Sequence, residues 1–160
     1  MRKLNIRFLA VLILCITLAA GALAAVHYFQ QDRIAAAQLW QAQSAREAEQ
    51  FDKAAGHYER YLEFRPDDAI VMIAYAEMLE QQLDKLAPTA RNPRKVVFLL
   101  EETLKRESGR DDLRRRLVRL YMLPRMRRYK DAETHLDVLN RAFPEDGSIS
   151  QQRAICQENM

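Results

Sequence analysis

Three histidines and two cysteines are the side chains of this sequence best suited to bind a metal ion or to act in catalysis. They are His27, His57, His135, Cys15 and Cys156. A structural zinc site needs several such ligands, usually with two of them a few residues apart. Here none of the five has a second histidine, a cysteine or a pair of carboxylates at that spacing. The sequence therefore predicts no metal site and no disulfide framework.

Other signs of catalysis are also missing from the sequence. It contains no glycine-rich phosphate-binding loop, and no serine or cysteine has a base nearby in the sequence. Tyr58, Tyr61, Tyr75 and Tyr121 recur at helical spacing, which we interpret as core packing. We therefore expect no catalytic residues, no cofactor and no enzymatic activity.

A dense group of arginines is the most unusual charged feature. Between Arg110 and Lys130 there are eight arginines and one lysine against two aspartates, whereas the whole chain has a formal net charge of +3. Because consecutive helical residues point about 100° apart, the arginines of residues 114–119 would wrap around their helix. No aromatic side chains alternate with them to stack on bases, so nucleic acid is a disfavoured partner. We expect these arginines to pair with Glu101, Glu102 and Glu133. The alternative is a basic module that docks on acidic lipid or nucleic acid.

The first of the elements that must position these residues is an uncharged segment near the start of the sequence. The apolar run Phe8 to Val26 has nineteen residues without a charge. As a helix it would be roughly 28 Å long, close to the thickness of a bilayer core. Three basic residues precede it and a nearly neutral segment follows. The positive-inside rule then predicts a basic cytoplasmic N-terminus at 1–7, a transmembrane signal-anchor helix at 8–29 and an extracytoplasmic remainder.

Cleavage of this segment is the alternative. The apolar run is richest from Phe8 to Leu18, and Ala22-Leu23-Ala24 fits the site at which a signal peptidase cuts. The run continues past that site, however, and helix-forming residues follow through Gln30 without a turn. We therefore prefer a retained anchor in a single-pass membrane protein to an exported soluble protein.

The rest of the chain predicts an all-α fold. Glycine (4) and proline (5) are scarce, and strong helix formers dominate. Hydrophobic spacing and turn residues predict helices at 30–50, 54–65, 69–83, 94–107, 111–124 and 128–143, and a short one that starts near 148.

Turn and packing residues complete this prediction. We expect a corner at Phe51–Lys53 and a loop at Asp84–Pro93, which contains two prolines. Expected caps are Asp67 or Asp68 for the third helix, and a capping box of Ser148 with Gln151 for the last. The expected packing stripes are Ile34, Leu39, Ala42 and Ala45 on the first helix, and Met72, Tyr75, Ala76 and Leu79 on the third.

One pattern occurs twice, about 78 residues apart. A small residue allows close approach of two helices, larger residues four and seven positions later cover the same face, and a proline ends the helix. The two occurrences are Ala54, Tyr58, Tyr61 and Pro66, and Ala132, Leu136, Leu139 and Pro144. Recurring helix pairs of this kind are typical of solenoids.

These positions resemble the tetratricopeptide repeat (TPR), whose 34-residue unit is a pair of helices. The resemblance implies a short α-solenoid of about three helix pairs over residues 35–146. Its units would be 35–68, 69–110 and 111–146, and 147–160 would begin a further or capping helix. A basic N-terminus, one membrane helix and an immediate TPR array together resemble bacterial membrane-anchored TPR proteins.

In the TPR family, the first helix of each pair lines a concave groove for a peptide. The resemblance implies a groove that is acidic in its middle and basic at its C-terminal end, and it implies a non-catalytic scaffold that holds a protein or peptide partner near the membrane. Two alternatives remain: these residues are simply solvated helix faces, or the chain self-associates through an apolar end at Phe143, Ile149 and Ile155. The implied lining residues are Gln43, Arg46, Glu47, Ile73, Glu77, Glu80, Gln81, Arg115 and Arg119, with Leu39 and Met122 beside them.

Overall fold

The fold is all-α, as the sequence predicts. The computed structural model describes residues 6–85 and 93–160, and within these ranges the chain forms seven helices and no strand. The described residues divide into a first compact unit, Met1–Pro66, and a second one, Asp67–Met160. The helices are α1 Ile6–Glu47, α2 Phe51–Phe64, α3 Ala69–Lys85, α4 Arg94–Arg106, α5 Asp111–Tyr121, α6 Tyr129–Ala142 and α7 Gly147–Glu158.

Helix α1 is a single element of 42 residues. It joins the apolar run and the first predicted helix of the repeat domain without a break. By length and composition it is able to cross a membrane, and none of its most apolar stretch is buried against other parts of the chain. Large apolar side chains such as Leu14, Leu18 and Leu23 are exposed there. Leaving so many apolar side chains in water is unfavourable by about 1.5–3 kcal/mol each, so this stretch needs an apolar environment.

In the first unit, α2 packs antiparallel on the C-terminal half of α1. Ala35 and Ala42 lie two helical turns apart and are buried, together with Ala54, Tyr58 and Tyr61 of α2. The small side chains bring the two helices close enough for the tyrosine rings to cover them. The predicted stripe is therefore only partly right. Ala42 belongs to it, but Ile34 is 46% exposed because Ala35, one residue further on, faces α2.

The turn between α1 and α2 lies at residues 48–50, not at the predicted corner Phe51–Lys53, where α2 has already begun. Glu49 adopts the left-handed region with φ of 57°. The amide of Gln50 then donates to the carbonyl of Ala45 over 2.8 Å, which satisfies one of the free carbonyls at the end of α1.

The C-terminal end of α2 is fixed to α1 by one arginine. The Arg65 guanidinium donates to the Asp32 carboxylate, and it lies 5.7 Å from the centre of the Tyr28 ring. About two turns further along the hairpin, His57 and Gln38 share a hydrogen bond of 2.8 Å. The hairpin therefore ends beside Tyr28, only two residues after the apolar run.

The second unit is a series of antiparallel helices in which α3 packs on α4, α4 on α5, α5 on α6 and α6 on α7. Its core is apolar except for Thr103, whose hydroxyl donates to the Leu99 carbonyl over 2.9 Å. On α3, Met72, Tyr75 and Ala76 are buried as predicted. Met78 is also buried, whereas the predicted Leu79 is only half-buried. The other fully buried large side chains are Tyr121, Leu99, Leu100, Leu113, Leu117, Leu136, Leu139, Ile149, Val96 and Val118.

The helix ends differ in detail from those predicted. Asp68 caps α3 by accepting from the Val71 amide over 3.1 Å, as expected. The last helix, however, is capped by Asp146, which accepts from the Ser148 amide over 3.0 Å. The predicted capping box of Ser148 with Gln151 is therefore wrong, because the cap lies two residues earlier, at Asp146. Of the predicted loop Asp84–Pro93, residues 84 and 85 belong to α3 and residues 86–92 lie outside the described part of the chain.

Helix α7 covers much of the apolar end that was predicted for the domain. Its Ile149 and Cys156 side chains are buried. Arg153 pairs with Asp137 of α6 over 2.9 Å, so the two helices are also linked by charge. Ile155 and Phe143 remain about 40% exposed.

Candidate functional site

The nine residues predicted to line a groove belong to two different units. In the first unit, Gln43 and Glu47 are exposed on the last turns of α1, and Arg46 is half-buried. The other six lie on α3 and α5 of the second unit. Each unit is therefore described separately.

On the second unit, one arginine binds two of the predicted residues. Arg116 of α5 binds the Glu80 carboxylate of α3 through its Nε atom, at 3.3 and 3.2 Å, and through a terminal nitrogen at 3.1 Å. Its other terminal nitrogen lies 3.7 Å from Glu77. Arg119 also approaches Glu80, at 3.7 Å. We call Glu77, Glu80, Arg116 and Arg119 the α3–α5 ion cluster.

The α3–α5 ion cluster changes the predicted charge of the groove. Two carboxylates and two guanidinium groups compensate one another, so an acidic middle and a basic end are not separated as expected. Glu80 and Arg116 are each 17% exposed, whereas Arg119 is 68% exposed. Arg119 is thus the cation of this cluster that a ligand can reach. The predicted groove residues Ile73 and Gln81 lie on α3, the helix that also carries the two carboxylates.

Arg115 lies apart from this cluster. Its guanidinium pairs with Asp146 over 2.9 Å and lies 5.1 Å from the centre of the Phe143 ring. Hydrogen bonds from Ser148 and Arg115 lower the pKa of the Asp146 carboxyl below its usual range. Arg115 therefore ties α5 to the start of α7, and its place in a groove stays a prediction.

The arginine run has carboxylate partners, but not those predicted. Arg114 lies 3.8 Å from Asp111 and donates to the Ser108 carbonyl over 2.7 Å. Arg115 and Arg116 reach α7 and α3 respectively, as described above. The expected partners bind other groups. Glu101 accepts from the Tyr121 hydroxyl, Glu102 pairs with Lys105 and Arg106, and Glu133 accepts from the Gln157 amide. The run wraps around its helix as predicted, so Arg114, Arg115 and Arg116 meet different neighbours, while Arg119 shares Glu80 with Arg116.

A buried tyrosine of the second unit contacts three polar side chains of other elements. The fully buried Tyr121 donates its hydroxyl hydrogen to the Glu101 carboxylate. The Arg128 guanidinium lies 4.8 Å from the centre of its ring, and the His135 ring stacks on it at 5.9 Å. Burial, and then the Glu101 charge, raise the pKa of Tyr121 far above its usual value. We call Glu101, Tyr121, Arg128 and His135 the tyrosine network, which links α4, α5 and α6.

Tyr58, Tyr61 and Tyr75 are buried as well as Tyr121, which confirms that the tyrosines belong to the core. The sequence did not indicate the tyrosine network, because Glu101 and Tyr121 are 20 residues apart on different helices. Arg116 was also not among the residues that were predicted to line a groove. Its only signal was its spacing of one helical turn from Arg119.

His135 makes the stability of the second unit depend on pH. Burial, and then the Arg114 charge, lower the pKa of His135 below the usual value for histidine, although Glu101 and Asp131 oppose this. Its Nδ1 atom is buried without a hydrogen-bond partner among the described residues. Below about pH 6.5 the unfolded chain therefore takes up a proton that the folded chain does not.

We expect the free energy of unfolding to fall as the pH drops from about 7.5 to about 5.5, through the unfolded-state pKa of histidine. Urea unfolding of the full chain in detergent, followed by circular dichroism, measures this change. The His135→Gln variant should lose the part of the pH dependence that comes from this proton. An equal dependence in the variant and the natural chain would contradict the assignment.

The histidines and cysteines are dispersed in the structure as in the sequence. His27 contacts Gln31, Cys15 is exposed on α1, and Cys156 is buried in α7. Within residues 6–85 and 93–160, no three histidine, cysteine, aspartate or glutamate side chains are placed to hold a metal ion.

Comparison with known proteins assigns no family. No protein-family model matches the chain, and no curated protein matches it. Its function has to be argued from its own helices and contacts.

Proposed function

We propose that this chain is a membrane-anchored, non-catalytic interaction protein. Its apolar run crosses the membrane with the N-terminus in the cytoplasm, and its helical hairpins bind a protein or peptide outside it. The observation that carries the proposal is the continuity of α1. One helix contains both the exposed apolar run and the residues that pack under α2. A partner bound to the hairpins is therefore held next to the membrane.

The packing of the helices supports a TPR-like arrangement of the hairpins. Ala54 and Ala132, the small residues of the two recurring patterns, are both fully buried. In the second unit, α3 is linked to α5 through Arg116 and Glu80, although α4 separates them in the sequence. Helices that are first members of neighbouring pairs meet in this way in a solenoid. We interpret α3, α5 and α7 as the first helices of successive pairs.

The binding face that we propose on the second unit lies around the α3–α5 ion cluster. Ile73 offers a half-buried apolar side chain, Gln81 is exposed, and Arg119 is largely exposed. Since the cluster is neutral in sum, an extended peptide with apolar residues and one carboxylate near Arg119 fits it better than a strongly acidic or basic one.

Photo-crosslinking in membranes of cells that make the chain tests this proposal. A photoreactive phenylalanine analogue is placed at Gln81 or at Arg119, both on the proposed face. The control position is Thr134, which is exposed on α6, a second helix of its pair. We expect a discrete protein adduct from the first two positions and none from the third. Equal adducts at all three positions, or none at any, would contradict a binding face on α3 and α5.

The second candidate is the exported soluble protein that would result from cleavage near Ala24. It keeps the same binding face but loses the anchor. The exposed apolar side chains that continue past that site, including Val26 and Phe29, favour retention.

A further inference from the structure

The two ends of the second unit differ in how their charges are balanced. Because α3 to α7 are antiparallel, the α3–α4 and α5–α6 junctions lie at one end, and the α4–α5 and α6–α7 junctions lie at the other. We call the first the basic end. Its exposed cations are Lys85, Arg94, Lys95, Arg125, Arg127, Arg128 and Lys130.

At the opposite end, carboxylates and cations are paired. Asp67 binds Arg106 over 2.8 Å, although the two residues are 39 positions apart. Arg110 binds Glu107 over 3.0 Å and Asp112 over 2.9 Å. The charges of that end therefore cancel to a large extent.

The basic end has no such balance. Against the seven cations among its described residues, the same two junctions contain the carboxylates Asp84 and Asp131. Arg128 pairs with Asp131 over 2.8 Å, and the Glu101 charge also acts on Arg128. Whatever contacts the individual side chains make, the net charge of the basic end stays strongly positive. Such a surface attracts anions and loses this attraction in high salt.

Apolar side chains accompany these cations. Phe98 on the second turn of α4 is 55% exposed, and the Lys95 ammonium lies 5.9 Å from the centre of its ring. Pro124 is exposed and Met126 is half-exposed in the α5–α6 junction, between the arginines. Cations mixed with exposed apolar groups are typical of surfaces that bind an anionic bilayer, because the charges meet the headgroups while the apolar groups enter the interface.

We infer that the basic end docks on the headgroups of anionic phospholipids, in addition to the anchor. This inference rests on the membrane anchor of the proposed function. The basic end belongs to the same chain as the apolar run, so the anchor would keep a bilayer at a high effective concentration near the second unit.

Lysine labelling of the full chain in lipid nanodiscs tests the inference. One set of discs contains neutral phosphatidylcholine alone, and the other contains added anionic phosphatidylglycerol. A water-soluble amine reagent modifies exposed lysines, and mass spectrometry gives the rate at each. Lys95 and Lys130 report on the basic end, and Lys105, exposed at the opposite end, is the control on the same molecule.

We expect anionic discs to slow the labelling of Lys95 and Lys130 by about fivefold, with no change at Lys105. This is about the factor by which one cation near such a surface strengthens binding. High salt should restore the neutral-disc rate. The Arg125→Glu/Arg127→Glu variant should show little slowing, whereas the variant Arg141→Glu, at the opposite end, should behave as the natural chain.

Each other outcome contradicts the inference. If the chain elutes with both kinds of disc but its lysines are labelled at equal rates in the two, lipid docking is excluded and the anchor is not. A chain that elutes apart from the discs would contradict the anchor and the docking together. If an acidic polypeptide or an oligonucleotide protects Lys95 and Lys130 in neutral discs while anionic lipid does not, the partner is that polymer and not the bilayer.

Discussion

Replacing Tyr121 with alanine is expected to lower the free energy of unfolding of the second unit by about 3–5 kcal/mol, the usual cost of removing a large buried aromatic side chain. The ring is fully buried between α4, α5 and α6, and it carries contacts from Glu101, Arg128 and His135. Its loss leaves a cavity and also removes the hydrogen-bond donor of a carboxylate. Since a domain is stable by only about 5–15 kcal/mol, this loss removes a large share of the stability.

Two further substitutions separate the contributions at this position. Tyr121→Phe keeps the ring and removes the donor to Glu101, so we expect a smaller loss of about 1–3 kcal/mol. Phe98→Ala removes an aromatic ring that is largely exposed in the same unit, and we expect a change within about 1 kcal/mol. Urea unfolding of each purified full chain in detergent measures the three values. Similar losses for Tyr121→Ala and Phe98→Ala would show that Tyr121 is not at the centre of the core.

The second large effect concerns the anchor. Replacing both Leu14 and Leu18 with arginine should abolish stable insertion of the apolar run. Each arginine near the centre of a membrane helix costs about 2.5–3.5 kcal/mol on the insertion scale, so the pair should reduce insertion by several orders of magnitude. Both leucines are exposed on α1 and make no core contact that the substitution would disturb.

Extraction of isolated membranes with alkaline carbonate measures this effect, because it releases proteins that do not span the bilayer. The natural chain should stay in the membrane pellet, and the double variant should not. Ile34→Arg is the matched control, since Ile34 is exposed on the same helix but lies beyond the apolar run. If the double variant remains in the pellet, the apolar run is not the anchor.

Much of the helical architecture can be predicted from local sequence. The spacing of Ala54, Tyr58 and Tyr61, and of Ala132, Leu136 and Leu139, identifies residues that are all buried in the structure. The same local reasoning gives six of the seven helices to within a few residues, because apolar periodicity and turn residues act over a single element. It also identifies Asp68 as a cap.

The details that could not be predicted depend on contacts between elements that are far apart in the sequence. Arg116 and Glu80 are 36 residues apart, and Asp67 and Arg106 are 39 apart, so neither pair leaves a local signal. Ile34 and Ala35 both continue a helical pattern, and only the position of α2 decides which one is buried. For the same reason the charges of the proposed face looked separated in the sequence, whereas the α3–α5 ion cluster compensates them.

Protease protection of sealed spheroplasts tests most directly whether α1 is a retained anchor with the hairpins outside. Trypsin added from outside should reach the exposed Arg33 but not the basic residues at positions 2, 3 and 7. We expect mass spectrometry to find a protected fragment spanning residues 1–33, while the rest of the chain is digested. A protein whose mass already lacks residues 1–24 before digestion, or a chain that trypsin leaves whole until the spheroplasts are broken, would contradict it.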